Sequence, residues 1–333
     1  MKIKRFNFNK RVLIIAEIGN NHEGSFQLAK KLIQKAAKAG VDAVKFQTFK
    51  TEDYVNDKDH FRFERLKKFE LTNEEFYKLS KFARRKKLLF ISTPFDIQSA
   101  IDLDKCVDYF KISSGDNNYF KLIEKVLSFK KPVIISTGLI DYFGVTDLLK
   151  IIKKKRFPIE KIFFLHCVSD YPVLDKEANL ISIKYLKDKL KMNIGYSDHT
   201  LGIEASIMAV AHGARVIEKH FTIDKNYSNF RDHKLSADPE EMARLVQSIR
   251  RATIMNGTYA KKISVNEKKN LKSMRRSFHA KVQIKKGERI TIEKVKLVRP
   301  FHHLSSDKLE DILSKKAKSL IKKIQPIYKK HLY

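Results

Sequence analysis

The chain of 333 residues carries 69 lysines and arginines against 38 aspartates and glutamates, a formal net charge of +31, and is 43% hydrophobic and 11% aromatic. This content suits a folded globular protein rather than a disordered one, and two cysteines, Cys106 and Cys167, exclude a disulfide framework and a four-cysteine metal site. No apolar run reaches bilayer length, and residues 12–16 are too short for a signal-peptide core, so a cytoplasmic protein without a membrane partner is expected.

From residue 12 to residue 222 one unit recurs: a short apolar, β-branched strand, a polar end, then an amphipathic helix. Strands are expected at 12–18, 43–48, 88–93, 109–114, 132–137, 162–168, 192–197 and 216–222. Eight such units predict an α/β fold, a (β/α)8 TIM barrel. The open doubly wound alternative would carry a glycine-rich phosphate loop, which this chain lacks. In the first helix Ser25 is placed to cap, Leu28, Leu32, Ile33, Ala36 and Ala37 form the apolar face, and Gly40 ends it. Thr72 caps the helix through Phe76, Leu79 and Phe82. The polar segment 52–69 is long for a barrel loop and reads as an active-site lid or a subunit contact. Ile203, Ile207, Met208 and Ala211 recur at helical spacing. The last barrel helix runs from Pro239 to Met255, where Asn256 and Gly257 stop it. Residues 1–258 therefore form the barrel domain, 259–274 a lysine-rich linker, and 275–333 a small domain of short strands and turns.

A TIM barrel builds its site from the carboxyl ends of its strands. Polar residues stand at nearly all of them: Glu17 with Asn20, Asn21 and His22; Lys45 and Gln47; Ser92 and Thr93; Lys111, Ser113 and Ser114; Ser136 and Thr137; His166 and Ser169; Ser197 and His199; Glu218 and His220. Residues two apart share a face, so Lys45 goes with Gln47, and Glu218 with His220. Lys45 and Lys111 sit in strands covered by helices outside, so they point inward and need an anionic partner, which a ligand phosphate or carboxylate supplies. Hydroxyls at Thr93, Ser114, Ser136 and Ser197 either donate to that anion or cap helices. His199 and His220 end adjacent strands and are placed to share a divalent metal; read alone, one caps a helix and the other fills a core.

The motifs IIAEIGNNHEGS (14–25), VKFQT (44–48), FISTPF (90–95), FKISSGD (110–116), IISTG (134–138), HCVSDYP (166–172), GYSDHTLG (195–202) and IEKHFT (217–222) occur in an order that resembles the sialic acid synthase family. The resemblance covers nearly the whole chain, and the tail from Arg275 looks like the family's β-rich SAF (antifreeze-like, β-clip) domain. It implies condensation of phosphoenolpyruvate with an open-chain N-acetylmannosamine-type sugar to a nine-carbon 3-deoxy-2-keto acid and phosphate. It implies His199 and His220 as ligands of one Mn2+ or Mg2+ ion, two imidazoles tolerating zinc equally. Lys45, Gln47, Thr93, Lys111, Ser114, Ser136, Ser169 and Ser197 are implied for substrate binding, Glu17 for proton transfer or water positioning, and Glu218 beside the metal. Tyr171, Asp232 of RDHKLS and Asp116 match sugar-side or catalytic positions. Arg299 of VRP matches an arginine that reaches the N-acyl group in a partner subunit's barrel, which implies a domain-swapped homodimer.

The chain departs from the family pattern where SGE is SGD at Asp116, where Ser169 replaces an asparagine, and where RPFHHL follows Val298. Two alternatives remain in view: a related synthase that uses a sugar phosphate acceptor, and a non-catalytic polyanion-binding protein. The lysines spread over most predicted helices and no nucleic-acid-binding signature is present, so a solvated basic surface accounts for the charge better than a nucleic-acid partner. The charge also favours capture of anionic substrates.

Overall fold

The computed structural model describes residues 2–3, 6–8, 11–258 and 260–333. The chain forms two compact units, the first ending at Gly257 and the second starting at Thr258. In the first unit a short antiparallel hairpin, β1 (Lys2–Ile3) and β2 (Phe6–Asn7), precedes eight parallel strands. These are β3 (Leu13–Gly19), β4 (Ala43–Thr48), β5 (Leu89–Pro94), β6 (Tyr109–Ile112), β7 (Val133–Ser136), β8 (Ile162–Cys167), β9 (Ile194–Asp198) and β10 (Val216–His220). Pairing of β10 with β3, Val216 against Leu13, closes them into the expected barrel.

The strands are covered on both faces, so their sequences are almost continuously apolar, and two-residue alternation sorts them into two cores. Outward residues such as Ile14, Val44, Phe90, Phe110, Ile135, Phe164 and Ile217 pack under the helices. Inward residues Leu13, Ile15, Ala43, Leu89, Ile91, Tyr109, Ile134, Phe163, Leu165 and Val216 fill the barrel, joined by Phe6 and Phe8 from the amino-terminal segment. The Phe8 ring lies 4.7 Å from that of Phe163, so residues ahead of the first strand plug the barrel floor. Gly195 takes an inward position where a Cβ would sit 2.4 Å from Leu165 Cδ2 and 2.6 Å from the Val216 carbonyl oxygen; only glycine fits that layer.

Local signals set the helices. Ser25 Oγ accepts from Leu28 N–H at 3.2 Å ahead of α1 (Phe26–Ala39), and Gly40, at φ 86°, closes it. The lid candidate folds as α2 (Thr51–Tyr54) and α3 (His60–Phe69), and Leu66 and Phe69 anchor it against Phe49 and Phe95. Thr72 and Glu75 form a capping box on α4 (Asn73–Arg85). One apolar face differs from expectation. The helix Glu204–Ala211 buries Ser206, Ala209 and Val210 and leaves Met208 exposed, because Ser206 Oγ donates to buried Asp198. The last barrel helix, Pro239–Met255, starts on a capping box of Asp238 and Glu241.

The segment expected as a linker, 259–274, contains a helix, Val265–Met274, capped by Ser264; residue 259 lies outside the described residues. Beyond it, β11 (Ser277–Ala280) and β12 (Val295–Val298) pair antiparallel over a separate core of Phe278, Ile284, Ile290, Ile312, Ile321 and Ile327. Among the described residues no helix is long and apolar enough to cross a membrane.

Candidate active site

Two residues past each apolar inward position, the barrel lining changes character in every strand. Ile15 gives way to Glu17, Ala43 to Lys45, Ile91 to Thr93, Tyr109 to Lys111, Ile134 to Ser136, Leu165 to Cys167, Gly195 to Ser197 and Val216 to Glu218. All eight line one narrow pocket at the carboxyl ends of the strands, with Gln47, Ser114, Tyr171, His199 and His220 around it. The period of two that builds the apolar layer therefore also builds the polar layer above it.

Charges at the pocket floor are paired within the chain. Lys45 Nζ lies 2.8 Å from Glu17 Oε2 and 3.7 Å from Glu218 Oε2, and it donates to Thr93 Oγ1 at 3.3 Å. Lys111 Nζ lies 3.3 Å from Glu218 Oε1, which also accepts from Ser197 Oγ at 2.9 Å. The sequence reading assigned the anionic partner of these lysines to a ligand. Instead Glu17 and Glu218 already supply it, because an unpaired buried ammonium would be too costly in the folded chain.

The two carboxylates are driven apart. For Glu17 burial raises the pKa and the pull of Lys45 does not offset it. For Glu218 burial also raises it, but Lys111, Lys45 and the Ser197 hydroxyl prevail and hold it at about 2. Burial lowers the Lys111 pKa, whereas for Lys45 the carboxylates outweigh burial and raise it. One carboxyl group is thus suited to hold a proton while the other stays ionised.

His199 and His220 come together as their strand positions implied, with ring centroids 5.6 Å apart. His199 Nδ1 is 2.9 Å from the Val168 carbonyl oxygen, which can only accept, so that nitrogen carries the proton and Nε2 keeps its lone pair. Nδ1 of His220 is buried without a partner. Among the described residues no group of three or more His, Cys, Asp and Glu side chains is arranged around a common metal position. The Tyr171 ring lies 4.2 Å from that of His199, tilted by 33°.

The hydroxyls of Ser136 and Ser169 are buried without partners, and Ser114 Oγ accepts from Gly138 N–H at 3.1 Å. A Cβ on Gly138 would lie 2.3 Å from Ser169 Oγ and 2.7 Å from Ser114 Oγ, so a glycine is required for these hydroxyls to converge. Gln47 bridges Asn20, which donates to its Oε1 at 3.0 Å, and Glu17 Oε1, to which it donates at 3.3 Å.

Above the narrow pocket opens a cavity of about 770 Å³, lined by Asn20, Gln47, Asp116, Tyr171, His220 and Asp232 together with Tyr54, Arg62, Arg65 and Leu66 of the 52–69 segment. Asp116 accepts a hydrogen bond from Ser113, and Asp232 pairs with Arg231 at 3.6 Å; burial raises the pKa of both carboxyls. Arg299 belongs to the second unit, where it donates to the Met274 carbonyl oxygen. The sequence reading missed Cys167 and the arginines of the 52–69 segment. Cys167 Sγ, 3.8 Å from His199 Nδ1, was legible from its place two residues past Leu165; Arg62 and Arg65 gave no signal, because only packing brings α3 over the barrel mouth.

Comparison with known proteins adds the following. The family model described as "NeuB family" matches residues 32–261, and that of the SAF domain matches residues 275–332. N,N'-diacetyllegionaminic acid synthase of Campylobacter jejuni is 38% identical over 92% of this chain and 96% of its own length. N-acetylneuraminate-9-phosphate synthase of Homo sapiens is 33% identical over 84% of this chain and 81% of its own. The structure of an N-acetylneuraminic acid (sialic acid) synthetase from Leptospira borgpetersenii superposes with a TM-score of 0.75 at 36% identity, covering 79% of this chain and 91% of that one.

Proposed function

The chain belongs to the NeuB family and ends in a SAF domain, and on that premise we propose that it condenses phosphoenolpyruvate with an open-chain N-acylated amino-sugar to give a 3-deoxy-2-keto sugar acid and phosphate. The observation that carries this reading is the polar ring of eight strand-end residues, in which two buried lysines and the unpartnered Ser136 hydroxyl face one pocket beside two histidines. Phosphoenolpyruvate is the small anion that such a pocket suits. Its phosphate and carboxylate take hydrogen bonds from Lys45, Lys111, Thr93, Ser114, Ser136 and Ser169, several of which have donor capacity to spare.

In the reaction, carbon 3 of phosphoenolpyruvate forms a bond to the aldehyde carbon, water adds at carbon 2, and the carbon 2–oxygen bond to phosphate breaks. Glu17 is the group that exchanges a proton with this water, since burial favours its protonated form. Glu218 stays ionised, fixes Ser197 and both lysines, and offsets positive charge that builds beside it. The acceptor occupies the wide cavity, where Asp116, Tyr171 and Asp232 take its hydroxyls and Gln47 and Asn20 close one side.

His199 Nε2 and His220 fit a divalent metal: the first has its lone pair fixed by the Val168 contact, and the second is a buried imidazole with an unsatisfied nitrogen. Manganese or magnesium held by these two side chains would supply Lewis-acid polarisation of the aldehyde oxygen. Arg299 reaching the N-acyl group in a partner's barrel, and hence a homodimer, belongs to the same proposal; sedimentation and the Arg299→Ala variant test it.

The deciding experiment measures phosphate release from phosphoenolpyruvate with manganese and a panel of N-acylated mannosamine-type acceptors. Release that requires an acceptor, and a keto-acid product of the summed carbon skeleton, is expected. Release at the same rate without any acceptor would refute the condensation.

A further inference from the structure

Asp198 and Lys219 are register partners on β9 and β10, and each stands one residue ahead of a histidine of the site. Strand alternation turns them to the outer side of the barrel, away from the pocket that His199 and His220 line. Lys219 Nζ lies 3.0 Å from Asp198 Oδ2, with the two side chains 3% and 0% exposed. Asp198 Oδ1 accepts from the Thr200 N–H at 2.9 Å and from the Thr200 hydroxyl at 2.8 Å. Its Oδ2 accepts from Ser206 of the helix Glu204–Ala211. Lys219 Nζ also donates to the Thr200 carbonyl oxygen at 2.8 Å.

This network encloses His199. The Asp198 carboxylate closes the turn through His199 onto Thr200, and Lys219, the residue before His220, is tied to both ends of that turn. Stability alone does not account for charges at this place. Two residues earlier on the same face, Tyr196 and Ile217 belong to the core packed under the helices. Apolar side chains of similar volume would hold the face as well as an ion pair does, without the cost of desolvating two charges. We propose that Asp198 and Lys219 are positioning residues that set the spacing of His199 and His220 for one divalent cation. A charged pair with shared hydrogen bonds fixes direction and distance between the two strand ends, which apolar contact leaves loose. Partners outside the ligand set orient ligating imidazoles in this way. The inference rests on the metal site proposed above.

The test titrates manganese alone into the full chain by calorimetry. Asp198→Asn keeps an acceptor for Thr200 and removes the charge opposite Lys219, and Lys219→Met removes the ammonium. Either change alone leaves a buried charge unpaired, so the variant carrying both, which removes both charges, is the one that decides. Its dissociation constant for manganese is expected to rise by roughly 10–100-fold. Its circular dichroism spectrum and its binding of phosphoenolpyruvate without metal stay as in the parent, because the Lys45 and Lys111 side of the pocket is unaltered. With cobalt alone at saturation, the ligand-field absorption shifts, a signature that a general loss of stability does not produce. A double variant with the manganese affinity and cobalt spectrum of the parent overturns the proposal. So does an equal loss of phosphoenolpyruvate affinity, which marks a loosened barrel rather than a misplaced histidine. A parent chain that binds manganese but turns over no acceptor refutes the condensation, and the titration still decides the role of the pair. A parent chain that binds no manganese overturns the metal site and this inference together.

Discussion

Glu17 and Lys45 are register partners on adjacent parallel strands, and their side chains meet at 2.8 Å in a setting almost sealed from solvent. The pair extends through Glu218 to Lys111, so two amino groups and two carboxyl groups hold one another at the floor of the site. Removing one member leaves a buried charge uncompensated, which costs about 3–5 kcal/mol. Lys45→Met is therefore expected to lower unfolding free energy by roughly that amount as well as abolish turnover. Denaturant titration measures the first effect; a stability equal to that of the parent chain would show that the four groups are not mutually dependent.

Chelation should remove activity, and manganese or magnesium should restore it. His199→Ala and His220→Ala should each lose both turnover and metal binding, the latter read by calorimetry with manganese alone. Full activity after exhaustive chelation would eliminate the metal from the proposal.

Gly138→Ala tests the serine hydroxyls without altering any of them. Its Cβ meets Ser169 and Ser114 well inside contact distance, so both must shift. Displacements of this size at a reacting centre cost on the order of 100-fold in rate. The expected outcome is that loss in kcat/KM for phosphoenolpyruvate with an unchanged circular dichroism spectrum. Unimpaired kinetics would place the hydroxyls outside the substrate site.

Burial lowers the pKa of His22 to about 4 from its usual 6.5, and its Nδ1 accepts from Gly24 N–H at 3.1 Å. Below pH 6.5 the unfolded chain takes up a proton that the folded one refuses, so stability is full above 6.5 and declines as the pH falls toward 4. The loss is on the order of 3 kcal/mol across that window. His22→Asn keeps an acceptor for Gly24 and cannot protonate. Its stability, followed by urea unfolding from pH 7 downward, should fall less steeply than that of the parent by about one proton. Parallel curves would sink the assignment.

Much of the site was legible because strand periodicity is a local property. Lys45 and Lys111 stand two residues past Ala43 and Tyr109, so their inward direction follows from the strands alone. Helix limits were legible for the same reason: Ser25, Thr72, Gly40 and Pro239 act on their nearest neighbours. Met208 was misread since its helix buries Ser206, and the reason for that is a hydrogen bond to Asp198 on a strand. The plug formed by Phe6 and Phe8 was invisible, because only the closed barrel brings those rings into its inward core.

The sequence by itself determined eight strand–helix units, the polar layer at their carboxyl ends and the histidine pair, since each depends on spacings of two to four residues. The tertiary structure decided which of those groups neutralise each other. Glu17, Lys45, Lys111 and Glu218 lie in four different strands, and only closure of the barrel through β10 and β3 brings their charges within a few ångströms. It also decided that Arg62 and Arg65 line the wide cavity, because docking of α3 depends on long-range contacts of Leu66 and Phe69. Charge coupling falls off with distance in space, whereas sequence patterns report only distance along the chain.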